Sequence, residues 1–97
     1  MDCPGHLSDR AKAVWQEIDN EFVIDAARRS LLQTALEAFD RYHQARAILD
    51  AEGIYFKSAT GVLHLHPVCK VEKESRAAFY QGWRALDLNI DPPQEVL

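Results

Sequence analysis

The sequence has few of the residues that mark secreted, fibrous or membrane-spanning chains. Two cysteines, Cys3 and Cys69, stand in 97 residues, which is too few for the disulfide framework of a small secreted scaffold. Four glycines and four prolines exclude collagen-like and low-complexity chains. No apolar run approaches the roughly 18 residues of a membrane-spanning helix, and no signal-peptide pattern opens the sequence. We therefore predict a reduced, cytoplasmic protein that does not enter a membrane.

The sequence also lacks the motifs of common enzyme classes. It has no glycine-rich phosphate loop, no nucleophile elbow and no paired-carboxylate signature. We therefore predict a protein that is not an enzyme, with no catalytic residue, no cofactor and no small-molecule substrate.

One short cluster, His64, His66 and Cys69, has residue types that bind zinc. Three ligands leave a tetrahedral site incomplete unless Cys3 or His6 adds a fourth. The alternative requires no metal: His66 caps a helix, His64 lies on a strand and Cys69 is a small apolar residue at a helix start. We favour this alternative and predict no metal site, while a small metal-binding regulator stays open as one interpretation of function.

The net charge argues against a general electrostatic affinity for nucleic acid. The chain has 15 acidic and 11 basic residues, for a formal charge of -4. Residues 1–25 hold six acidic and two basic residues, so the whole excess lies there and the remainder is balanced. A local basic surface is therefore compatible with the composition.

The length fits one domain. We predict a single domain over residues 1–97, ordered from about 4 to 90, with a tail at 91–97. A chain of this size buries only somewhat more than about 60% of its unfolded surface, so association between copies would add stability.

Apolar spacing predicts a mainly α fold with a small β-hairpin. A short first helix, capped by Ser8, extends to about Asp19. A long second helix, capped by Asp25, extends to about Ala51. Gly53 ends this helix in a left-handed conformation.

The segment after Gly53 predicts the hairpin and the third helix. Apolar residues alternate from Ile54 to Leu65 around a loop at 57–61. Pro67 has the fixed φ that suits the first helical residue, and the third helix extends to about Leu88. The side of this helix predicted to be buried holds Val68, Val71, Ser75, Ala78, Phe79, Gly82 and Leu86.

The second helix carries two apolar stripes. One repeats at steps of four and three, the heptad spacing of a coiled-coil contact, and the other runs beside it. Because two short helices offer little surface to cover both, we predict a homo-oligomer held by this helix; packing of both stripes inside one chain is the open alternative. The predicted interface residues are Leu31, Leu32, Ala35, Leu36, Ala38, Phe39, Tyr42, Ala45 and Leu49.

Basic residues form a second candidate surface. Three of them step by three along the third helix, one lies on the hairpin, and two open the second helix, where cations are electrostatically unfavourable unless a partner needs them. The alternative is that Glu72, Glu74 and Asp25 neutralise these side chains in ordinary surface pairs. The predicted DNA-binding residues are Lys57, Lys70, Lys73, Arg76, Arg28 and Arg29.

Four motifs in order carry a resemblance to a known family. They are Pro4-x-x-Leu7-Ser8-x-x-Ala11-x-x-x-Trp15, Leu49-Asp-Ala-Glu52-Gly53, Gly61 followed by His66-Pro67, and Leu86-Asp-Leu88 ahead of Pro92. With this order of elements, the chain from about Pro4 to Pro92 resembles the small terminase subunits of tailed bacteriophages, in the branch called the twenty-seven family.

The resemblance implies a non-enzymatic component of DNA packaging in a phage, a prophage or a gene-transfer agent. It implies a homo-oligomeric ring in the bacterial cytoplasm, which engages double-stranded DNA and recruits or regulates the large terminase subunit with its ATPase and nuclease activities. The sequence departs from the family pattern in lacking a longer basic N-terminal arm, in Asp87 at a glycine position, and in the ending Asp91–Leu97. We therefore expect weak, largely non-specific DNA contact.

The C-terminal tail is the predicted docking element for the large subunit, through Val96 and Leu97. A mobile segment that ends in apolar residues can become ordered on a partner. The alternative is a frayed end without a role. A helical adaptor that binds only protein is the other open interpretation of the whole chain, and the acidic pI of about 5.5 favours it.

Overall fold

The computed structural model describes residues 3–93, which form three helices and one hairpin. The molecule is elongated, with extents of 56 × 23 × 21 Å. The predicted mainly helical fold, with its hairpin between the second and third helices, is confirmed. The elements are α1 (Asp9–Glu21), α2 (Ala26–Glu52), β1 (Tyr55–Lys57), β2 (Leu63–Leu65) and α3 (Val68–Leu86).

Side-chain caps fix where α1 and α2 begin. The Ser8 hydroxyl oxygen accepts the Ala11 N–H at 3.1 Å, and the Asp25 carboxylate accepts the Arg28 N–H at 2.9 Å. Both predicted caps are confirmed. The Asp40 carboxylate on α2 accepts from the Ser8 N–H at 2.8 Å and from its hydroxyl at 2.5 Å, so the start of α1 is held against the middle of α2.

Helices α2 and α3 pack antiparallel along most of their length. The Phe39 and Phe79 ring centroids lie 5.3 Å apart. One end of the pair is closed by His66 Nε2, 3.3 Å from the Glu52 carboxylate. Gly82 lies over Ala35 so closely that a Cβ on the glycine would be 3.0 Å from the Ala35 Cβ. The absence of that atom is what lets the two backbones approach here.

A core lies where all three helices meet. It joins α1 to the first half of α2 and the second half of α3, and Leu88 closes it from beyond α3. The Trp83 indole N–H donates to the Ile90 carbonyl at 3.1 Å, which holds the chain after α3 against the core. The largest fully buried side chains are Phe39, Phe79, Ile18, Leu32, Leu36 and Leu86.

The stripes of α2 are buried inside the chain itself. Leu32, Ala35, Leu36, Ala38, Phe39, Tyr42, Ala45 and Leu49 are all buried, and Leu31 alone of the nine predicted interface residues is exposed. The assignment of these eight side chains to a contact between copies is therefore corrected to intramolecular packing. The long α3 runs against α2 and covers the apolar stripes that two short helices were expected to leave uncovered. That the chain forms a homo-oligomer stays a prediction.

The buried side of α3 differs from the predicted one. Val71 and Ala78 are exposed, Val68 and Gly82 are half-buried, and Trp83 joins Ser75, Phe79 and Leu86 in the interior. The physical reason is that α1 reaches only the second half of α3. The first half packs against α2 alone, so part of its apolar side faces solvent.

The hairpin projects from the helices, and no other described element covers its strands. Tyr55 pairs with Leu65, Phe56 with His64 and Lys57 with Leu63, in antiparallel register. All six strand residues are exposed. We call the part of the molecule beyond the three-helix core the hairpin extension: residues 43–52 of α2, the hairpin, and residues 68–78 of α3.

Asp87 ends α3 in the left-handed conformation, with φ +53° and ψ +47°. A residue other than glycine is disfavoured in this conformation, because its Cβ comes too close to the following carbonyl oxygen. This is the position at which the resembled family carries glycine. Asp87→Gly should raise the free energy of unfolding by about 0.5–1 kcal/mol.

Thermal unfolding of the variant measures this gain, which corresponds to about 2–8 °C for a chain of this length. Asp87→Ala is the matched control, because it removes the carboxylate and keeps the Cβ; it should not gain stability. A lower melting temperature for Asp87→Gly than for the unchanged chain would contradict the explanation.

Candidate nucleic-acid interface

The hairpin extension carries four of the six predicted DNA-binding residues. Lys57 lies at the loop end of β1, and Lys70, Lys73 and Arg76 lie along the exposed side of α3. Steps of three residues rotate each side chain by about 60° from the previous one, so the three form a strip that winds along the helix. The structure therefore places these four in one half of the molecule.

Acidic neighbours neutralise part of this strip. Lys70 Nζ lies 3.8 Å from the Glu74 carboxylate, and an Arg76 guanidinium nitrogen lies 3.5 Å from that of Glu72. The Lys70–Glu74 pair is exposed, so it contributes little to stability and is readily exchanged for another anion, whereas Glu72 is largely buried beside Arg76. Within residues 3–93, Lys57 and Lys73 have no carboxylate in ion-pair range. Of the four basic residues, Lys57 and Lys73 are thus unpaired within residues 3–93, Lys70 has a weakly held partner, and Arg76 has a largely buried one.

Arg28 and Arg29 lie elsewhere. They occupy the first turn of α2, at the far end from the hairpin, because the hairpin follows the C-terminal end of this 27-residue helix. The level of Lys73 along α2 is about residue 45, so roughly 25 Å of helix separates the two groups at 1.5 Å per residue. Arg29 is also half-buried, with its Nε enclosed and without a hydrogen-bond partner. The six residues therefore do not form one surface.

The imidazole of His66 forms a hydrogen bond with the backbone at the start of α3. Its Nδ1 accepts the Val68 N–H at 3.1 Å, and its Nε2 faces Glu52. The helix begins at Val68 with Pro67 at the cap position, so the prediction of His66 as the cap and Pro67 as the first helical residue is wrong by one position, although the His66 ring accepts the first helical N–H. His64 stacks on Phe56 with centroids 5.4 Å apart, on the strand face predicted for it.

No metal cluster forms in the described part of the chain. Among residues 3–93, no three His, Cys, Asp or Glu side chains come together in a way that could hold an ion. Burial raises the pKa of the Cys3 thiol, an effect that Lys12 partly opposes, so less of the metal-binding thiolate is present at neutral pH. His64, His66 and Cys69 are thus explained by the hairpin and the helix start.

A groove of about 440 Å³ lies between α1 and the chain that follows α3. Its floor includes Val14, Trp83 and Pro92, and Arg10 and Glu17 stand at its side. No serine, threonine, cysteine, lysine or histidine is among the described residues that line it. Its ionisable lining residues are Arg10, Glu17 and Asp91.

The exposed apolar surface of the hairpin extension was not predicted from the sequence. Eight large side chains are 37–59% exposed there, and the signal for them is that both faces of the hairpin are apolar, as in strands that are covered on both sides. These side chains are Ile48, Ile54, Tyr55, Phe56, Val62, Leu63, Leu65 and Val71. Val96 and Leu97, the predicted docking residues, lie outside the described residues.

No protein-family model, curated protein sequence or solved structure matches the chain. Among the described helices, none combines the length and the apolar character needed to cross a bilayer.

The strip on α3 generates a test of DNA binding. Lys70→Glu with Lys73→Glu should abolish binding to double-stranded DNA at low salt, because the change replaces phosphate-binding cations by anions. The affinity of the unchanged chain should fall steeply with salt, with a slope larger by roughly two than that of a chain without these contacts.

The measurement is a titration of labelled duplex DNA by anisotropy at several salt concentrations. Arg10→Glu with Lys12→Glu on α1 is the matched control, with the same charge change outside the strip, and it should retain most of the affinity. Unchanged affinity in the α3 variant would make the strip a solvated helix face.

Proposed function

We propose that the chain is a small terminase subunit of a phage, a prophage or a gene-transfer agent. In this role it forms a homo-oligomer, contacts double-stranded DNA weakly and with little sequence preference, and recruits or regulates the large terminase subunit. It hydrolyses nothing itself. The large subunit supplies the ATPase and nuclease activities.

The observation that carries the proposal is the agreement between the ordered motifs and the positions they occupy in the fold. The Ser8 motif opens α1 as a cap, Gly53 ends α2 with φ +81°, and Gly61 turns the hairpin with φ +83°. His66-Pro67 immediately precedes α3, where the His66 ring accepts the Val68 N–H, and the Leu86–Leu88 motif ends the helix in the buried core. Each motif of the resembled family therefore has a structural role at a boundary between elements, and this supports a shared fold.

The distribution of charge supports the DNA-binding part of the proposal. A single chain offers few cations, and two of those on α3 are paired. Repetition of the strip in several copies would raise the effective concentration of contacts on one duplex, which is how weak sites give useful avidity. Weak contact by one chain is thus compatible with engagement of DNA by an assembly.

A second candidate is a helical adaptor that binds only protein. The ion pairs of Lys70 and Arg76 and the formal charge of -4 favour it. The two candidates differ in DNA affinity and in the effect on a large terminase subunit, so the same experiment separates them.

The proposal predicts stimulation of the large subunit. Purified chain, added to the large terminase subunit from the same genome, should increase its DNA-dependent ATPase rate several-fold, while the chain alone shows no ATPase activity. Steady-state phosphate release measures both. No stimulation, together with no binding between the two proteins, would contradict the terminase role.

Deletion of residues 94–97 is the variant that tests the tail in the same assay. It removes Val96 and Leu97 and keeps Pro92 and Pro93, which line the groove beside Trp83. Loss of stimulation with unchanged oligomeric mass assigns docking to the tail. Full stimulation by the shortened chain would show that the large subunit docks elsewhere.

A further inference from the structure

The hairpin extension exposes more apolar surface than a small monomer usually does. A large apolar or aromatic side chain presents roughly 150–250 Å² when fully accessible, so eight of them at about half exposure offer on the order of 700 Å². The largest apolar patch of a typical monomer is about 300–600 Å². A standard interface buries about 800 Å² on each partner. The exposed side chains lie on both faces of the hairpin and on two helices, so a copy at each edge of the hairpin would cover part of this area.

The hairpin also has two open edges. The Ser58 N–H donates to the Val62 carbonyl at 2.9 Å, and the His66 N–H donates to the Ile54 carbonyl at 2.6 Å. In an antiparallel ladder this pattern directs the backbone groups of Phe56 and His64 inward, toward each other. Those of alternate residues point outward, away from the partner strand. The outward-facing residues are Tyr55 and Lys57 on β1, and Leu63 and Leu65 on β2.

An isolated two-stranded hairpin is marginal in water, and three or more strands are normally required for stability. Natural proteins protect open edges with charges, prolines or bulges. β2 has none of these, and Lys57 is the only formally charged residue from Gly53 to Cys69. A second copy of this hairpin would therefore meet almost no like-charge repulsion, and it would supply the missing strands.

We propose that copies of this chain associate through the hairpin extension, with the outer edge of β2 pairing with the outer edge of β1 in the next copy. This inference rests on the homo-oligomer of the proposed function and assigns its interface to residues other than the stripes of α2. The exposed apolar side chains of neighbouring extensions then cover one another.

Two features favour head-to-tail pairing: the charge of Lys57, and the open edge that each strand of the hairpin presents. Pairing of β1 with another β1 would bring two Lys57 side chains together at the contact. Pairing of β2 with another β2 would leave the β1 edge of each copy open. Pairing of β2 with β1 uses both edges of every copy, and a repeated head-to-tail contact closes into a ring when the rotation allows it.

Leu63→Lys with Leu65→Lys tests the contact. Both side chains are exposed in the single chain, so the variant should keep its helical circular dichroism and melt as the unchanged chain does in dilute, unassembled protein. Val23→Lys with Ile90→Lys is the matched control, because it also replaces two exposed apolar side chains by lysine, outside the extension and outside the stripes of α2. Sedimentation velocity over a concentration series gives the mass of each protein.

The expected result is a closed species of three or more copies for the unchanged chain and for the control. The edge variant should fall to the single-chain mass of 11.0 kDa at the same concentrations. Three outcomes overturn the inference: an unchanged chain that stays monomeric, one that stops at a dimer, or an edge variant that still assembles. A monomer that binds the large terminase subunit, and loses that binding in the edge variant, also overturns it and assigns the surface to that partner.

The result is separable from the test of the proposed function. Assembly that persists in the edge variant overturns the hairpin contact and leaves the packaging role in place. Assembly that is lost in the edge variant, in a chain that never stimulates the large subunit, keeps the hairpin contact and contradicts the packaging role.

Discussion

The close approach of α2 and α3 at Ala35 and Gly82 is the contact on which the rest of the structure depends. With hydrogen in place of a side chain at residue 82, the two backbones lie near enough for Phe39 and Phe79 to pack beside the crossing. This long antiparallel pair buries the stripes of α2 and leaves one side for α1 to complete the core. It also carries the ends of both helices beyond the reach of α1, and this creates the hairpin extension.

The hairpin extension follows from this packing of α2 and α3. Because α1 has 13 residues and α2 has 27, α1 can cover only about half the length of α2. The uncovered half holds the apolar hairpin and the basic strip of α3, so the surface we propose for another copy and the candidate surface for DNA lie in the same half of the molecule. An assembly formed through the hairpin would bring several basic strips together, which links oligomerisation to DNA contact in physical terms.

Local signals in the sequence predicted most of the fold, and long-range coverage was the part that they could not predict. Ser8 and Asp25 cap their helices as expected, because capping depends on neighbours within three residues. The stripes of α2 were correctly predicted to be buried, yet periodicity does not say whether the covering surface comes from the same chain. The basic residues were visible in the sequence, whereas the distance of Arg28 from Lys73 depends on the antiparallel packing of α2 and α3.

Amide hydrogen exchange as a function of protein concentration tests most directly whether the hairpin is covered by a second copy. If hairpin edges pair between copies, we expect the outward-facing amides of Tyr55, Lys57, Leu63 and Leu65 to exchange fast in dilute protein and slowly at concentrations where the chain assembles. The core amides near Phe39 and Phe79 should be protected throughout. Fast exchange of the four outward-facing amides in the assembled protein would contradict the account, because no second strand would then lie against either edge.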